Sequence, residues 1–140
     1  MKGKVLVDTN VLVYAYDVSE PVKQRRAIEV LHDLSEREAG AVSVQVMSEM
    51  FVALTRKLSS PLGVEQALRT LSRHMRTWHV LDITEFVVLE AARGVRDHQM
   101  SYWDAKIWAT ARLNQIPIIL SEDFASGSTM EGVRFVNPFV

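Results

Sequence analysis

The feature that most constrains the fold is an alternation of short apolar segments with longer segments of helical periodicity. Short runs of mostly β-branched and aliphatic residues are typical of strands, and they occupy residues 5–7, 41–43, 80–81, 118–120 and 133–136. Apolar residues at helical spacing between them predict helices over residues 22–37, 44–58, 64–76, 84–96 and 101–113. We therefore predict an α/β fold with a central, mainly parallel sheet and helices on both faces.

Length and composition limit the classes of function. A chain of 140 residues fits one compact domain, so we expect residues 1–140 to form a single domain. The absence of cysteine excludes disulfides, thiolate zinc sites, iron–sulfur clusters and cysteine nucleophiles. A formal net charge of −1 is far from the basic balance of proteins that hold nucleic acid by bulk electrostatics. Any polyanionic partner must therefore be held by a local group of cations.

The N-terminal residues begin like a secretory signal, because two lysines precede an apolar run. Asp8 interrupts that run at once, and no small-residue cleavage site follows. We therefore expect this segment to be part of the fold. Since no apolar run approaches the roughly 20 residues that cross a bilayer, we expect no membrane association and a cytoplasmic location.

Two acidic residues follow predicted strands. Asp8 comes directly after residues 5–7, and Asp123 follows residues 118–120 by a short step. Ligands of open parallel sheets bind beyond the carboxyl ends of the strands, where the strand order reverses. If these two strands are parallel neighbours, both acids lie at the same end of the sheet, beside one binding cleft. Each acid also has an ordinary structural explanation, Asp8 as a turn residue or helix cap and Asp123 as a turn residue or the cap of a short helix.

Two further acids interrupt apolar helical patterns. Glu49 shares one stripe with Gln45 and Ser48 in an otherwise apolar helix, and that stripe can equally be a solvated face. Asp104 forms a capping-box pattern with Ser101. It also lies on the same stripe as apolar residues, so that its carboxylate points along the buried face. Taken singly, none of the four acids is specific.

Together the four acids predict a divalent cation site. Clustered carboxylates without a counter-charge repel and raise one another's pKa, so a native cluster implies a bound cation. Hard oxygen ligands fit Mg²⁺ or Mn²⁺, whereas the absence of cysteine, and of histidine within the acidic motifs, disfavours zinc. Carboxylate-bound magnesium is a means of activating water against a phosphodiester. Phosphoryl hydrolysis is the reaction that these residues favour.

The acidic segments, taken in order, resemble a known family. Residues 5–12 (VLVDTNVL), Ser48-Glu49 within a helix, residues 102–105 (YWDA) and residues 120–124 (LSEDF) resemble, in order and spacing, the four acidic motifs of PIN domains. The resemblance covers nearly the whole chain. The C-terminal residues 132–139 (GVRFVNPF) are similar to the ending of the single-domain, VapC-type ribonuclease toxins of toxin–antitoxin pairs.

The resemblance implies a PIN-like three-layer α/β/α fold and a Mg²⁺- or Mn²⁺-dependent endoribonuclease. Such an enzyme cleaves single-stranded or looped RNA and leaves a 5′-phosphate and a 3′-hydroxyl. The motif positions imply that the metal-binding catalytic acids are Asp8, Glu49, Asp104 and Asp123. By the same correspondence, Asn10 and Ser121 are polar groups that orient these acids or the attacking water.

Three positions limit this correspondence. Ser121 stands where threonine is more frequent, a difference that keeps the hydroxyl. Lys106 stands where an apolar residue is common, and it is either a surface substitution or a phosphate contact. Glu122 ranks below Asp123 as a ligand, because neighbouring side chains of an extended segment point apart.

Groups that contact RNA are harder to identify from the sequence. A basic stripe at helical spacing consists of Arg69, Arg73 and Arg76, but such a stripe is more often a solvated face. The three tryptophans lie beside apolar helical stripes and are more often core residues, so we assign them no stacking role. Among the histidines, only His98 lies near an acidic motif.

The resemblance also implies a homodimer and a cognate antitoxin, which covers an apolar groove and inserts a basic side chain into the acidic pocket. Candidate groove residues, which the sequence does not separate from core residues, are Val11, Tyr14, Phe51 and Leu54. Two other functions are considered. One is a catalytically silent PIN-fold binding module. The other is a phosphoacceptor signalling domain, which needs a tight acidic pair after the first strand and a late lysine at a strand end, and the sequence has neither.

Overall fold

The structure is a computed structural model that describes residues 4–140. Residues 1–3 lie outside the described residues, and so does the part of the N-terminal prediction that concerns them. The elements follow in the order β1 (Val5–Val7), α1 (Thr9–Tyr14), α2 (Pro21–Glu36), β2 (Gly40–Ser43), α3 (Val44–Val52), a π-helical turn (Ala53–Lys57), α4 (Val64–Thr77), β3 (His79–Leu81), α5 (Glu85–His98), α6 (Tyr102–Leu113), β4 (Ile118–Leu120), β5 (Thr129–Met130) and β6 (Val133–Val136).

The strands of the described residues form one sheet in the order β3-β2-β1-β4-β6-β5. The central strand β1 pairs in parallel with β2, where Val5 faces Gly40, and with β4, where Val7 faces Leu120. The pairs β2–β3 and β4–β6 are also parallel, and β5 runs antiparallel to β6. From the central strand β1 the chain first adds β2 and β3 on one side, and it then adds β4, β6 and β5 on the other side. The carboxyl ends of β1 and β4 therefore form the switch point at which ligands of such sheets bind.

The predicted fold class is confirmed, because helices accompany a mainly parallel sheet in a three-layer α/β/α arrangement. All five predicted strands are present, and the predicted helices agree within one or two residues, apart from residues 44–58. The sequence prediction missed β5, which has two residues and therefore no detectable alternation. It assigned no helix to α1, whose six residues are too few to establish a helical period.

The predicted single helix over residues 44–58 is wrong beyond Val52. There α3 gives way to the π-helical turn, in which the N–H of Leu58 donates to the carbonyl of Ala53 at 3.2 Å. The hydroxyl of Thr55 donates to the carbonyl of Phe51 at 2.9 Å and so competes for a helical acceptor. A wider turn of this kind is frequent near functional sites. It ends at Lys57, which lines the cavities described below.

The packing of α5 against α6 fixes the helix that carries Asp104. Trp108 of α6 is fully buried, and its indole N–H donates to the carbonyl of Met130 at 3.1 Å. A Cβ at Gly94 of α5 would lie 2.8 Å from the Trp108 ring, so only glycine allows this close approach. The position of α6 is therefore held by a helix on one side and by the sheet edge on the other.

For two of the candidate groove residues, the prediction of a place in an exposed groove is wrong. Val11 and Leu54 are fully buried in the hydrophobic core, because α1 and the π-helical turn pack their apolar sides inward. Tyr14 and Phe51 are partly buried. Among the residues that the structure describes, no helix is both long enough and apolar enough to cross a membrane.

Candidate active site

Asp8 lies at the carboxyl end of β1 and caps α1. Its backbone N–H donates to the carbonyl of Leu120 in β4 at 2.9 Å, which continues the ladder past the strand end. Oδ1 accepts the backbone N–H of Thr9 at 2.8 Å, and Oδ2 accepts the hydroxyl of Ser121 at 2.7 Å. Both carboxylate oxygens are thus held in place. Asp8 therefore caps α1 and also lies at the carboxyl end of β1, so its structural and its functional explanation are compatible.

Ser121 and Asn10 link the ends of β1 and β4. The hydroxyl oxygen of Ser121, which is buried, accepts the backbone N–H of Asp123 at 3.1 Å and the Asn10 amide at 3.3 Å. The Asn10 amide also donates to Oδ2 of Asp123 at 3.2 Å, and its Oδ1 accepts the backbone N–H of Glu122 at 3.3 Å. The two polar residues predicted to orient the acids therefore contact Asp8 and Asp123 directly.

Glu49 reaches the same region from α3. This helix starts directly after β2, where the hydroxyl of Ser43 accepts the backbone N–H of Val46 at 3.1 Å. Oε2 of Glu49 accepts the hydroxyl of Thr9 at 2.9 Å, and Oε1 accepts the amide of Gln45 at 2.8 Å. The polar side of α3 therefore faces the end of β1. Thr9 is a contact that the sequence analysis missed, although it adjoins Asp8 in the motif.

Asp104 lies in the first turn of α6. The hydroxyl of Ser101 accepts the backbone N–H of Asp104 at 3.2 Å, so the serine half of the predicted capping box is present. The Asp104 side chain is partly buried and lines the cavity at the strand mouth. Its carboxylate therefore faces the site.

The four predicted acids, which come from separate segments of the chain, line one cavity of about 170 Å³: Asp8, Glu49, Asp104 and Asp123. A cavity of about 520 Å³ adjoins it and shares Asp8, Glu49 and Asp123. Another, of about 630 Å³, lies on the side of α6 and also includes Glu49. The acids thus occupy the middle of a longer cleft, with Glu49 at the junction of its three parts.

The electrostatics of the cavity disfavour a full set of ionised acids. Burial raises the pKa of Asp8 to about 6; hydrogen bonds oppose this rise, and the charges of Asp123 and Glu49 add to it. Burial also raises the pKa of Asp123, and the charge of Asp104 is the next largest cause. The charges of neighbouring acids therefore make the ionisation of Asp8 and of Asp123 less favourable, and a bound cation would reverse that effect.

The chemistry of the donors fits a hard divalent cation. All four acids offer carboxylate oxygens, and Oε1 of Gln45, which lines the same cavity, is a buried oxygen without a hydrogen-bond partner within residues 4–140. In the described part of the chain, however, no three acidic or histidine side chains are close enough to hold one ion together. This spacing fits Mg²⁺, which keeps several waters and binds one or two carboxylates, better than a closed structural site.

Glu122 points away from the four acids. Its Oε1 accepts the hydroxyl of Tyr14 at 2.7 Å, and its Oε2 accepts the ammonium of Lys23 at 3.0 Å. The lysine also lies 4.8 Å from the centre of the Tyr14 ring. Glu122 therefore belongs to a surface ion pair, in agreement with its low rank as a ligand.

Other candidate residues lie outside the cavity. His98 contacts Glu131 at 2.6 Å in an ion-pair network that joins α5 to the β5–β6 turn. Arg73 donates to the hydroxyl of Tyr16 at 2.9 Å, and Arg69 pairs with Glu65 at 3.8 Å. These positions give the basic stripe of α4 a structural explanation.

Comparison with known proteins gives one family and a consistent set of folds. The family profile described as PIN domain matches residues 5–125. A search of curated protein sequences gave no match.

Three solved structures with the same fold are a toxin–antitoxin complex, a VapBC complex and a VapC toxin. A toxin–antitoxin complex from Klebsiella pneumoniae superposes with a TM-score of 0.70 and 21% identity, covering 96% of this chain and 97% of that chain. DNA-bound VapBC from Salmonella typhimurium has a TM-score of 0.67 and 15% identity, covering 96% and 97%. VapC20 of Mycobacterium tuberculosis, a sarcin–ricin loop cleaving toxin, has a TM-score of 0.62 and 19% identity, covering 93% and 98%.

Proposed function

The chain belongs to the PIN domain family, and on that premise we propose that it is a divalent-metal-dependent endoribonuclease, with residues 1–140 as one catalytic domain. The observation that carries the proposal is that Asp8, Glu49, Asp104 and Asp123 converge on one cavity from four separate segments. A purely structural explanation of each acid, as a cap, a turn residue or a surface group, gives no reason for the four to meet. A common ligand does.

The residues of the cavity divide into holding and positioning groups. One or two of the carboxylates of Asp8, Glu49, Asp104 and Asp123 would bind Mg²⁺ or Mn²⁺ directly, and the others would contact its water ligands, with substrate phosphate oxygens completing the coordination. When bound, the ion lowers the pKa of water and offsets negative charge on the phosphate and the leaving oxygen. Ser121 and Asn10 keep Asp8 and Asp123 in fixed orientations through the hydrogen bonds described above.

Thr9 and Gln45 have the corresponding role for Glu49, which is exposed and would otherwise sample several rotamers. Fixed orientations matter because a reacting phosphate and a water must be held in line, and small displacements lower the rate strongly. A carboxylate of the cavity that does not bind the metal would accept a proton from the attacking water. No side chain is required to act as a covalent nucleophile.

The biological role that we propose is that of the toxin in a toxin–antitoxin pair. The structures of similar fold include three toxin–antitoxin assemblies. The proposed partners are therefore RNA as substrate, a cognate antitoxin protein and a second copy of this chain in a homodimer, in the cytoplasm. Light scattering of the purified protein tests the dimer. Growth arrest on expression, with relief by Asp8→Asn, tests the toxin role.

The decisive experiment compares Asp8→Asn with a matched control, Glu65→Gln, on RNA with Mg²⁺ or Mn²⁺ present. Both variants exchange one carboxylate for an amide, but Glu65 is on the exposed face of α4 and, within residues 4–140, pairs only with Arg69. We expect wild type and Glu65→Gln to cleave RNA and to leave 5′-phosphates, and Asp8→Asn to lose activity. Cleavage that survives in Asp8→Asn, or in wild type treated with a chelator, would contradict the proposal.

A second candidate, a catalytically silent binding module, is favoured by one observation. In the described residues, no three acidic or histidine side chains are arranged to hold an ion together. This function predicts that wild type binds RNA or a protein partner without cleavage and that Mg²⁺ or Mn²⁺ leaves the melting temperature unchanged. The same experiment therefore separates the two functions.

A further inference from the structure

An exposed aromatic ring and a lysine lie together at the edge of the acidic cavity. Trp103, in the first turn of α6, is 64% exposed, whereas Trp78 and Trp108 are buried. The ammonium of Lys106 lies 4.6 Å from the centre of the Trp103 ring and 5.5 Å from that of Tyr102. Trp103 and Lys106 both line the cavity that holds the four acids and the adjoining cavity of about 630 Å³.

The exposure of Trp103 is not explained by the packing of the domain. A buried tryptophan stabilises a fold by removing a large apolar surface from water, but most of the Trp103 surface stays in water. Lys106 covers part of the ring, and the exposed remainder is free to contact a planar partner. A nucleobase is such a partner, because an aromatic side chain stacks on any base without regard to its sequence.

Two lysines line the cleft close to the acids. Lys106 lines the cavity of the acids, and Lys57, at the end of the π-helical turn, lines both wider cavities. Within residues 4–140, neither ammonium forms an ion pair with a carboxylate. Since the chain has a net charge of −1, a polyanion needs local cations of this kind to approach the acids.

We propose that Trp103, Lys106 and Lys57 form a nucleotide subsite beside the acids, in which Trp103 stacks on an unpaired base and the two lysines contact phosphates near the scissile bond. The inference rests on the proposed function and names the groups that hold its substrate. The subsite selects unpaired RNA, because a base inside a duplex is stacked on both faces and has no free face for Trp103. It also assigns Lys106 to phosphate contact.

The first test measures binding without cleavage, in the Asp8→Asn background. The probe is a fluorescently labelled, mixed-sequence single-stranded RNA oligomer, compared with the same oligomer in a duplex. Trp103→Ala should weaken the affinity for the single strand by roughly 5-fold to 100-fold, the range of one base–aromatic stack. Lys106→Met and Lys57→Met should each lower the slope of log Kd against log salt by about 0.7, the value for one phosphate contact on a single strand.

A matched control separates stacking from the loss of any exposed aromatic residue. Phe86 in α5 is 65% exposed and lines none of the three cavities of the cleft, so Phe86→Ala should bind the RNA as the parent protein does. Trp103→Phe keeps a flat ring and should recover most of the affinity lost in Trp103→Ala. Quenching of tryptophan fluorescence by unlabelled RNA should be lost in both Trp103 variants, because the other two tryptophans are buried.

A second test uses otherwise unmodified protein and steady-state cleavage. Trp103→Ala should raise KM for single-stranded RNA more than it lowers kcat, and its melting temperature should stay close to that of wild type. If wild type cleaves RNA and Trp103→Ala has an unchanged Kd and KM, the proposed subsite is refuted. The exposed ring of Trp103 is then better explained as a contact for a protein partner. If wild type itself cleaves no RNA, the proposed function fails instead, so the two failures are distinguishable.

Discussion

The hydroxyl of Ser121 donates to Oδ2 of Asp8 at 2.7 Å and so joins the carboxyl ends of two neighbouring parallel strands. Val7 and Leu120 are direct partners in the ladder, which places the residues that follow them side by side. The relationship therefore follows from strand register. The hydrogen bond also fixes the carboxylate of Asp8, the acid that follows the central strand β1.

Removing the Ser121 hydroxyl should impair catalysis. In Ser121→Ala, Asp8 loses the donor on one oxygen and Asn10 loses an acceptor, so we expect kcat to fall by about 10-fold to 100-fold, as for other groups that orient metal ligands. Ser121→Thr keeps the hydroxyl and should restore most of the activity. Steady-state kinetics checks this, and equal kcat values for wild type and Ser121→Ala would refute the positioning role.

Asp8→Asn should stabilise the metal-free protein at neutral pH. The pKa of Asp8 is raised from 3.8 to about 6 in the folded state, so the folded protein binds the proton more tightly than the unfolded chain does. The ionised group therefore costs stability as pH rises from 3.8 to 6, and the full cost is present above that window. We expect a gain of up to about 3 kcal/mol at pH 7.5 that shrinks to about 1 kcal/mol at pH 4.5. Urea unfolding at the two pH values measures it.

Divalent metal should raise the melting temperature of the wild-type protein. Mg²⁺ or Mn²⁺ at ten times its Kd adds about 1.4 kcal/mol by linkage, which corresponds to several degrees in a chain of this size. The rise should be smaller in Asp8→Asn, unchanged in Glu65→Gln and reversed by a chelator. Stabilisation by Zn²⁺ but not by Mg²⁺ or Mn²⁺ would mean that the metal has been wrongly assigned.

His74 should make the fold sensitive to mild acid. Its Nδ1 accepts the indole N–H of Trp78 at 2.8 Å, and its Nε2 contacts the hydroxyl of Tyr16 at 2.6 Å, so the ring is held neutral. Burial, with the charge of Arg73, lowers its pKa from 6.5 to about 4. Between these values the unfolded chain takes up a proton that the folded protein does not, so stability is lost as pH falls from 6.5 to 4, by about 2–3 kcal/mol.

Asp8 changes stability in the opposite direction over part of the same pH range, so the His74 effect is best measured in Asp8→Asn. Urea unfolding between pH 7.5 and 4.5 should show a decline in stability that His74→Gln largely removes. A decline of equal size in His74→Gln would assign the acid sensitivity to other groups.

Gly40 should tolerate no larger residue. It begins β2, and a Cβ built on it would lie 2.5 Å from the buried ring of Trp78. Gly40→Ala should therefore cost about 1–3 kcal/mol, as overpacking of a core does. Gly63→Ala is the matched control, because nothing lies within 4 Å of its Cβ position. Thermal unfolding compares the two, and similar melting temperatures would show that Trp78 moves aside easily.

The sequence by itself determined the order of the elements and the residues that carry charge at their ends. Short strand-like runs that alternate with helical segments predict a parallel sheet with helices on both faces, and the order of the motifs groups Asp8, Glu49, Asp104 and Asp123 as one set. What it left open was the neighbour of each strand, because periodicity describes one element at a time. It also failed at the π-helical turn that ends at Lys57, where a local competition for hydrogen-bond acceptors overrides the helical period.

Only the tertiary structure decided which of two explanations held at each position. Val11 and Leu54 are apolar residues of the kind found both in binding grooves and in cores. Packing on the sheet places them in the hydrophobic core. Trp103 and Trp108 are five residues apart on one helix, yet one is exposed at the cleft and the other is fully buried. Glu49 has the pattern of a solvated stripe, and the placement of α3 after β2 brings it to Thr9. The reason is that burial depends on contacts between segments distant in sequence, which no local pattern contains.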